Sequence, residues 1–360
     1  MSSPDPAVAA AAKAKGRIIA FDAFRGIAIL FVVFGHTTAL AWPLLNNPER
    51  QFDFWLAMVE RNVLLPCLPI FLFLSGYLLG SIRFDSWADY GNYLSKRVSR
   101  VAIPFLFWSV FFLGLSWAFA VSYTPLDALL RIVTGRADGG YYFILLIIQF
   151  YLLTPVFIRI LDWRYGIHTL FAIHMLVIFC LYLVQFFYWP NMPYEVAKTP
   201  FIGWLSFFPM GIYLRRNPQI VEGFSLRILI PLAVLFGWLS IMESVWLVPK
   251  GTFELAISDL RYMPLAYGYT VILILLKLVH LPWPQWLATL GGISFGIFFI
   301  HGFVLRRATG LIAAALPTLT ENLFLFQSAI TLLTLAICIS GILIARRILP
   351  EWITSRVLAF

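Results

Sequence analysis

Long apolar runs alternate with short polar ones along the whole chain. Ten runs approach the ~20 apolar residues that a helix needs to cross a bilayer. They fall at 19–42, 63–82, 102–123, 141–160, 168–189, 201–214, 228–248, 259–279, 288–307 and 323–345. The sixth is the shortest. The runs are too long for strands, and they lack the alternating pattern of a membrane barrel. The pattern predicts an all-α fold, a polytopic membrane bundle of about ten transmembrane helices. One membrane domain is expected over 18–348, with a disordered cytoplasmic tail at 1–17 and a cytoplasmic C-terminal tail at 349–360. Between the third and fourth runs, residues 126–133 are expected to form a short interfacial helix ahead of Gly135.

Composition narrows this to a membrane protein. Hydrophobic residues make up 61% of the chain and charged ones 12%, about half the charged share of a soluble domain. A polar skin cannot be made from so few charges, so the runs must face lipid or one another. Charge then sets orientation. With the N-terminus inside, the inner segments carry sixteen Lys and Arg and the outer ones nine, with Arg25 inside the first run. Cytoplasmic loops carry the Lys/Arg excess, which predicts N-in, C-in. The inner side nets +9 and the outer side −1. The basic character is therefore a topology signal and not a nucleic-acid footprint. It suits a lipid bilayer and an anionic cytosolic ligand. No A-x-A site follows the first run, so that run reads as an uncleaved helix. Cys67, Cys180 and Cys338 are far apart and set in apolar runs, without metal or redox spacing.

Ionisable side chains inside a span are costly and by default mark function. The first run holds two, Arg25 and His36. Eleven residues at ~100° each put them on one helix face, ~16 Å apart along the axis. Arg25 lies toward the cytoplasmic end and His36 toward the outer end. Arg25 can also snorkel to the inner headgroups or pair with Asp22. His36 can also serve as a neutral hydrogen-bonding partner of another helix.

The segment FDAFRGIAILFVVFGH resembles the opening of the acyltransferase family 3 membrane proteins, an Arg, ten residues, then a His. Further elements follow in order. PIFLFLSGY at 69–77 resembles the second-helix F-x-x-S-G-[FY] element. Arg97 and Arg100, followed by Pro104, resemble the cytoplasmic RxxR and its proline. The aromatic segment YYFILLIIQFYLLTP at 141–155 and SFGIFFIH at 294–301 are similar to later family elements. The resemblance spans roughly 18–345.

The resemblance implies acyl transfer from cytoplasmic acyl-CoA, taken here as acetyl-CoA, to a hydroxyl of a cell-envelope or exported polysaccharide or its lipid-linked precursor. No tightly bound cofactor is implied. It also implies a stand-alone member without an extracytoplasmic hydrolase domain, in a bacterial cytoplasmic (inner) membrane. Within it, Arg97 and Arg100 share a helix face at the cytoplasmic mouth and can hold CoA phosphates, or simply serve the positive-inside rule. Arg25 can draw the donor inward, oriented by Asp22. His36 can act as general base on the acceptor hydroxyl or carry the acyl group itself. Ser75 and Gly76 permit close approach of a thin acyl arm, and Ser75 equally suits helix packing. Tyr142 and His301 are possible cavity-lining residues, while His168, His174 and His280 read as structural. Glu243 and Arg261 near the outer face are weaker candidates for touching a sugar. No metal cluster, phosphate loop or G-x-S-x-G elbow occurs. A glycan or lipid transporter without acyl chemistry is the rival reading, since buried charge and helix prolines (Pro66, Pro69, Pro155) suit that class too. A structural membrane partner is the third, though it has little need for Arg25 and His36 on one face.

Overall fold

The computed structural model describes residues 6–118, 123–190 and 192–360. Among them every regular element is helical, as the missing solvent inside a bilayer demands of an open chain. Helix α1 (Pro6–Thr37) opens the bundle. Its backbone is helical from Pro6, through most of the segment expected to be a disordered tail; residues 1–5 of that segment lie outside the described residues. The alanine-rich run at 7–14 favours this start, since Ala is the best helix former.

Helices α2 (Gln51–Leu64) and α3 (Cys67–Tyr77) form one apolar stretch over Pro48–Tyr77. The joint lies at Pro66, whose missing N–H interrupts the backbone ladder. Helix α4 (Trp87–Ala118) carries Arg97 and Arg100 ahead of its apolar part; the last expected residues of its run, 119–122, lie outside the described residues. Helix α5 (Pro125–Val133) is the expected interfacial helix. A capping box starts it, Thr124 Oγ1 accepting from the Asp127 N–H at 3.1 Å while Asp127 Oδ2 accepts from the Thr124 N–H. Leu126, Leu129, Leu130 and Val133 stay exposed, which suits a helix lying in the headgroup region.

Helices α6 (Tyr142–Leu161) and α7 (Gly166–Leu183) follow as an antiparallel pair. Then come the short α8 (Tyr194–Lys198), α9 (Phe207–Arg216) and α10 (Pro218–Glu222), the long α11 (Leu226–Leu247), the one-turn α12 (Phe253–Ala256) and α13 (Tyr262–Lys277). Helices α14 (Gln285–Gly292), α15 (Ser294–Ala315) and α16 (Leu323–Ile348) complete the order. Eight stretches among the described residues are long and apolar enough to cross a membrane, against the ten expected. The runs expected at 201–214 and 259–279 fall on the shorter α9 and α13. The first spends its opening residues in a 3-10 turn at Phe201–Trp204. The second loses its start to the polar turn Ser258-Asp259-Leu260-Arg261.

Helix α1 packs against α3, α14, α15 and α16. Two bare Cα positions permit close helix–helix approaches in the bundle. A Cβ on Gly291 of α14 would stand 1.7 Å from the Asp22 carbonyl oxygen of α1, and one on Gly76 of α3 would stand 2.0 Å from the Phe208 carbonyl oxygen of α9. Only glycine permits either contact. The segment expected as a C-terminal tail folds back on the bundle. One helical turn at Ile353–Val357 packs on α4, Trp108 Nε1 donates to the Leu358 carbonyl at 3.2 Å, and Phe360 meets the Trp108 ring at 5.8 Å. Ile353, Val357, Leu358 and Phe360 supply the apolar surface for it.

Candidate active site

Helix α1 carries the two halves of the site. On its inner half Arg25 Nη1 bonds Asp22 Oδ1 at 2.8 Å, one turn back. The two side chains are 33% and 29% exposed, so the pair is held but not sealed. Tyr151 of α6 lies beside them. Its hydroxyl lies near Ser75 and within reach of the charges of Arg25, Arg97 and Arg100. Ser75 in turn donates to the Phe71 carbonyl at 2.8 Å. The fold thus brings Arg25, Ser75, Arg97 and Arg100 to the neighbourhood of one buried phenol, with Asp22 joined through Arg25. Gly76 is spent differently: its open side is filled by the α9 backbone, so the close approach it permits is helix to helix.

An open cleft of about 790 Å³ lies at the inner face, lined by Ser81, Arg83, Arg215 and Arg216 among others. Arg216 is anchored there by Asp162 at 3.0 Å and the Gly80 carbonyl at 3.0 Å.

On the outer half of α1, His36 faces His301 of α15 with ring centroids 5.1 Å apart. The two rings differ in how they are held. His301 is 3% exposed. Its Nδ1 lies 2.7 Å from the Phe298 carbonyl and 3.2 Å from that of Ile297, one turn back on its own helix. A carbonyl only accepts, so Nδ1 carries the proton and Nε2 presents a lone pair. Nε2 is buried with no hydrogen-bond partner. His36 is exposed, although its ring packs against that of His301. Arg61, Lys198 and Arg306 lie close enough for their charges to reach it.

Those cations are fixed by carboxylates. Lys198 Nζ donates to Asp259 Oδ2 at 2.5 Å, with side chains 1% and 2% exposed, and Arg61 Nη2 reaches Asp259 Oδ1 at 3.4 Å. Burial works against a charge on Asp259, but Lys198 and Arg61 outweigh it and hold the carboxyl below its ordinary range. Arg306 grips Asp138 with two nitrogens, at 2.8 and 3.2 Å. Tyr142 is buried at the start of α6, and the neighbouring Tyr141 reaches α15, donating to the Phe299 carbonyl at 2.8 Å.

Other candidates are taken up by the protein. Arg261 is fully buried and donates to the Ser258 and Ser240 carbonyls and to Asn62 Oδ1; with Glu243 and the Tyr182 hydroxyl it forms an internal network, so its guanidinium faces protein and not a sugar. His174 is structural. Ser206, the Tyr269 hydroxyl and the Gly203 carbonyl surround its ring nitrogens. His168 and His280 are exposed.

Sequence reasoning missed Tyr151, Arg61, Lys198, Asp259, Asp138 and Arg306. One signal was available for the cations. Lys and Arg are depleted on the outer side, so those that remain there need a separate reason, and Arg61, Lys198, Arg261 and Arg306 each hold a carboxylate within the fold.

A family model described as an acyltransferase domain matches residues 18–358. The chain belongs to acyltransferase family 3. It is an integral membrane protein. Two curated relatives are nodulation protein NolL of Sinorhizobium fredii (strain NBRC 101917 / NGR234), 29% identical over 147 residues, and nodulation protein NolL of Mesorhizobium japonicum (strain LMG 29417 / CECT 9101 / MAFF 303099), 27% identical over 129 residues. The first match covers 41% of this chain and 38% of the relative, the second 36% and 32%. The matched stretch therefore spans about a third of each relative. No solved structure matches this chain.

Proposed function

We propose that this acyltransferase moves an acetyl group from cytoplasmic acetyl-CoA to a hydroxyl of a cell-envelope or exported polysaccharide, or of its lipid-linked precursor, in a bacterial cytoplasmic membrane. The observation that carries the reading is the division of α1. Its inner half meets a set of partly exposed arginines, and its outer half meets a second imidazole. Acyl-CoA has the matching shape, polyanionic and bulky at one end and thin at the thioester end. Arg97 and Arg100, with the arginines of the inner cleft, offer phosphate contacts. Arg25 and Ser75 line the way inward. His36 is the imidazole at the reacting centre, where a hydroxyl acceptor reaches it from the outer side.

The test uses purified protein in liposomes with radiolabelled acetyl-CoA and a lipid extract of the host membranes. Wild type should consume acetyl-CoA and label a glycolipid, while His36→Ala should lose this activity roughly 1000-fold without losing abundance or folding. A folded His36→Ala protein that still labels the product would remove His36 from the reaction. Movement of a glycolipid across the bilayer with no acetyl-CoA consumed would replace the reading by a transporter.

A further inference from the structure

Of the two facing imidazoles, His301 has the stricter environment. Its Nδ1 proton is committed to the backbone one turn back on α15, which fixes both the tautomer and the ring. Nε2, on the opposite side of the ring, points away from that backbone. It is a buried acceptor without a partner in the bundle. A buried polar atom left unpaired is costly, and a helix interior offers many cheaper residues. His36 has the opposite character: no hydrogen bond to it is found among the described residues, and it is exposed. A general base needs a fixed tautomer and an aimed lone pair. His301 has both, and His36 has neither.

We propose that His301 is a catalytic residue, the base that takes the proton of the acceptor hydroxyl, and that His36 faces the acyl group. This deepens the reading above and rests on it. The acceptor oxygen bonds to the acyl carbon as its proton passes to His301 Nε2. The carbon–sulfur bond breaks, and the departing thiolate takes that proton from the imidazolium. Ester, CoA thiol and a neutral His301 result. The neighbourhood suits a passing positive charge on His301: Asp138 lies against α15, with its Oδ2 3.0 Å from where a Cβ on Gly302 would stand, and Arg306 holds it in place.

The test separates deprotonation from acyl transfer by changing the nucleophile. Hydroxylamine attacks an acyl group without needing a base, whereas a sugar hydroxyl needs one. Wild type, His301→Asn and His36→Ala are compared in liposomes with acetyl-CoA, using either the host lipid extract or hydroxylamine as acceptor. Because Nε2 bonds nothing in the protein, His301→Asn should unfold near the wild-type temperature. It should lose glycolipid acetylation roughly 100-fold or more, yet keep hydroxylamine acetylation, above the His36→Ala background, within about threefold of wild type. Free imidazole should restore part of the glycolipid reaction in His301→Gly. His301→Asn with wild-type glycolipid acetylation would overturn the proposal. So would equal loss with both nucleophiles, which would make His301 a structural or donor-side residue. A wild-type protein inert toward acetyl-CoA would instead sink the parent reading, and this one with it.

Discussion

The inner and outer halves of the site are built on different principles. At the inner end, Arg25 and Asp22 are about one-third exposed, Arg97 is half-buried and Arg100 is exposed. At the outer end, Lys198, Asp259 and Asp138 are almost fully buried, and His301 is locked by its own helix. Exposed cations on long side chains suit a ligand that arrives from water and leaves again. Buried, paired charges suit a centre that must not rearrange while a bond is made. Under the proposed function, one helix serves binding at one end and chemistry at the other, according to how much water its neighbours admit.

The largest effect should come from the outer half. Asp259→Ala leaves Lys198 and Arg61 without their shared carboxylate, and breaking a buried pair costs about 3–5 kcal/mol. Thermal unfolding in detergent should show a much lower midpoint than wild type; an unchanged midpoint would mean that the ion pairs are not sealed from water. Gly76→Ala comes next. It forces a methyl against the Phe208 carbonyl and should destabilise by about 1–3 kcal/mol, with the KM for acetyl-CoA unchanged in the folded fraction. A raised KM at normal stability would return Gly76 to the donor path.

At the inner mouth the effect should move from stability to binding. Arg97→Gln and Arg100→Gln should each raise the KM for acetyl-CoA by roughly tenfold, the value of one charged contact, and leave the unfolding temperature alone. Unchanged KM values would leave the two arginines as topology signals. The smallest change is expected for Asp22→Asn. Its pair with Arg25 is open to water and worth under about 1 kcal/mol in stability. A loss comparable with that of Asp259→Ala would erase the contrast between the two ends.

Parts of this could be read from the chain alone. Apolar runs and the Lys/Arg bias reveal an all-helical membrane bundle, because lipid leaves the backbone no other partner than itself. The capped interfacial helix α5 is legible for a similar reason, since its signals are local: Thr124, Pro125 and Asp127 lie within four residues. Arg25 and His36 stand out because a charge or an imidazole inside a span is expensive wherever the rest of the chain goes. Sequence pattern overstated the length of continuous helix at α9 and α13, whose apolar runs open with a 3-10 turn and a polar turn.

What only tertiary structure decided are the meetings between distant segments. Gly76 looks like room for a ligand until α9 fills it. Lys198 and Asp259 look like two ordinary loop charges until they face each other at 2.5 Å. His36 and His301 are 265 positions apart, and their rings meet because α1 and α15 pack side by side. A sequence displays what each residue costs in its local surroundings, since hydrophobicity, helix period and charge are local properties. It does not display which partner relieves that cost, because the partner is chosen by packing across the whole bundle.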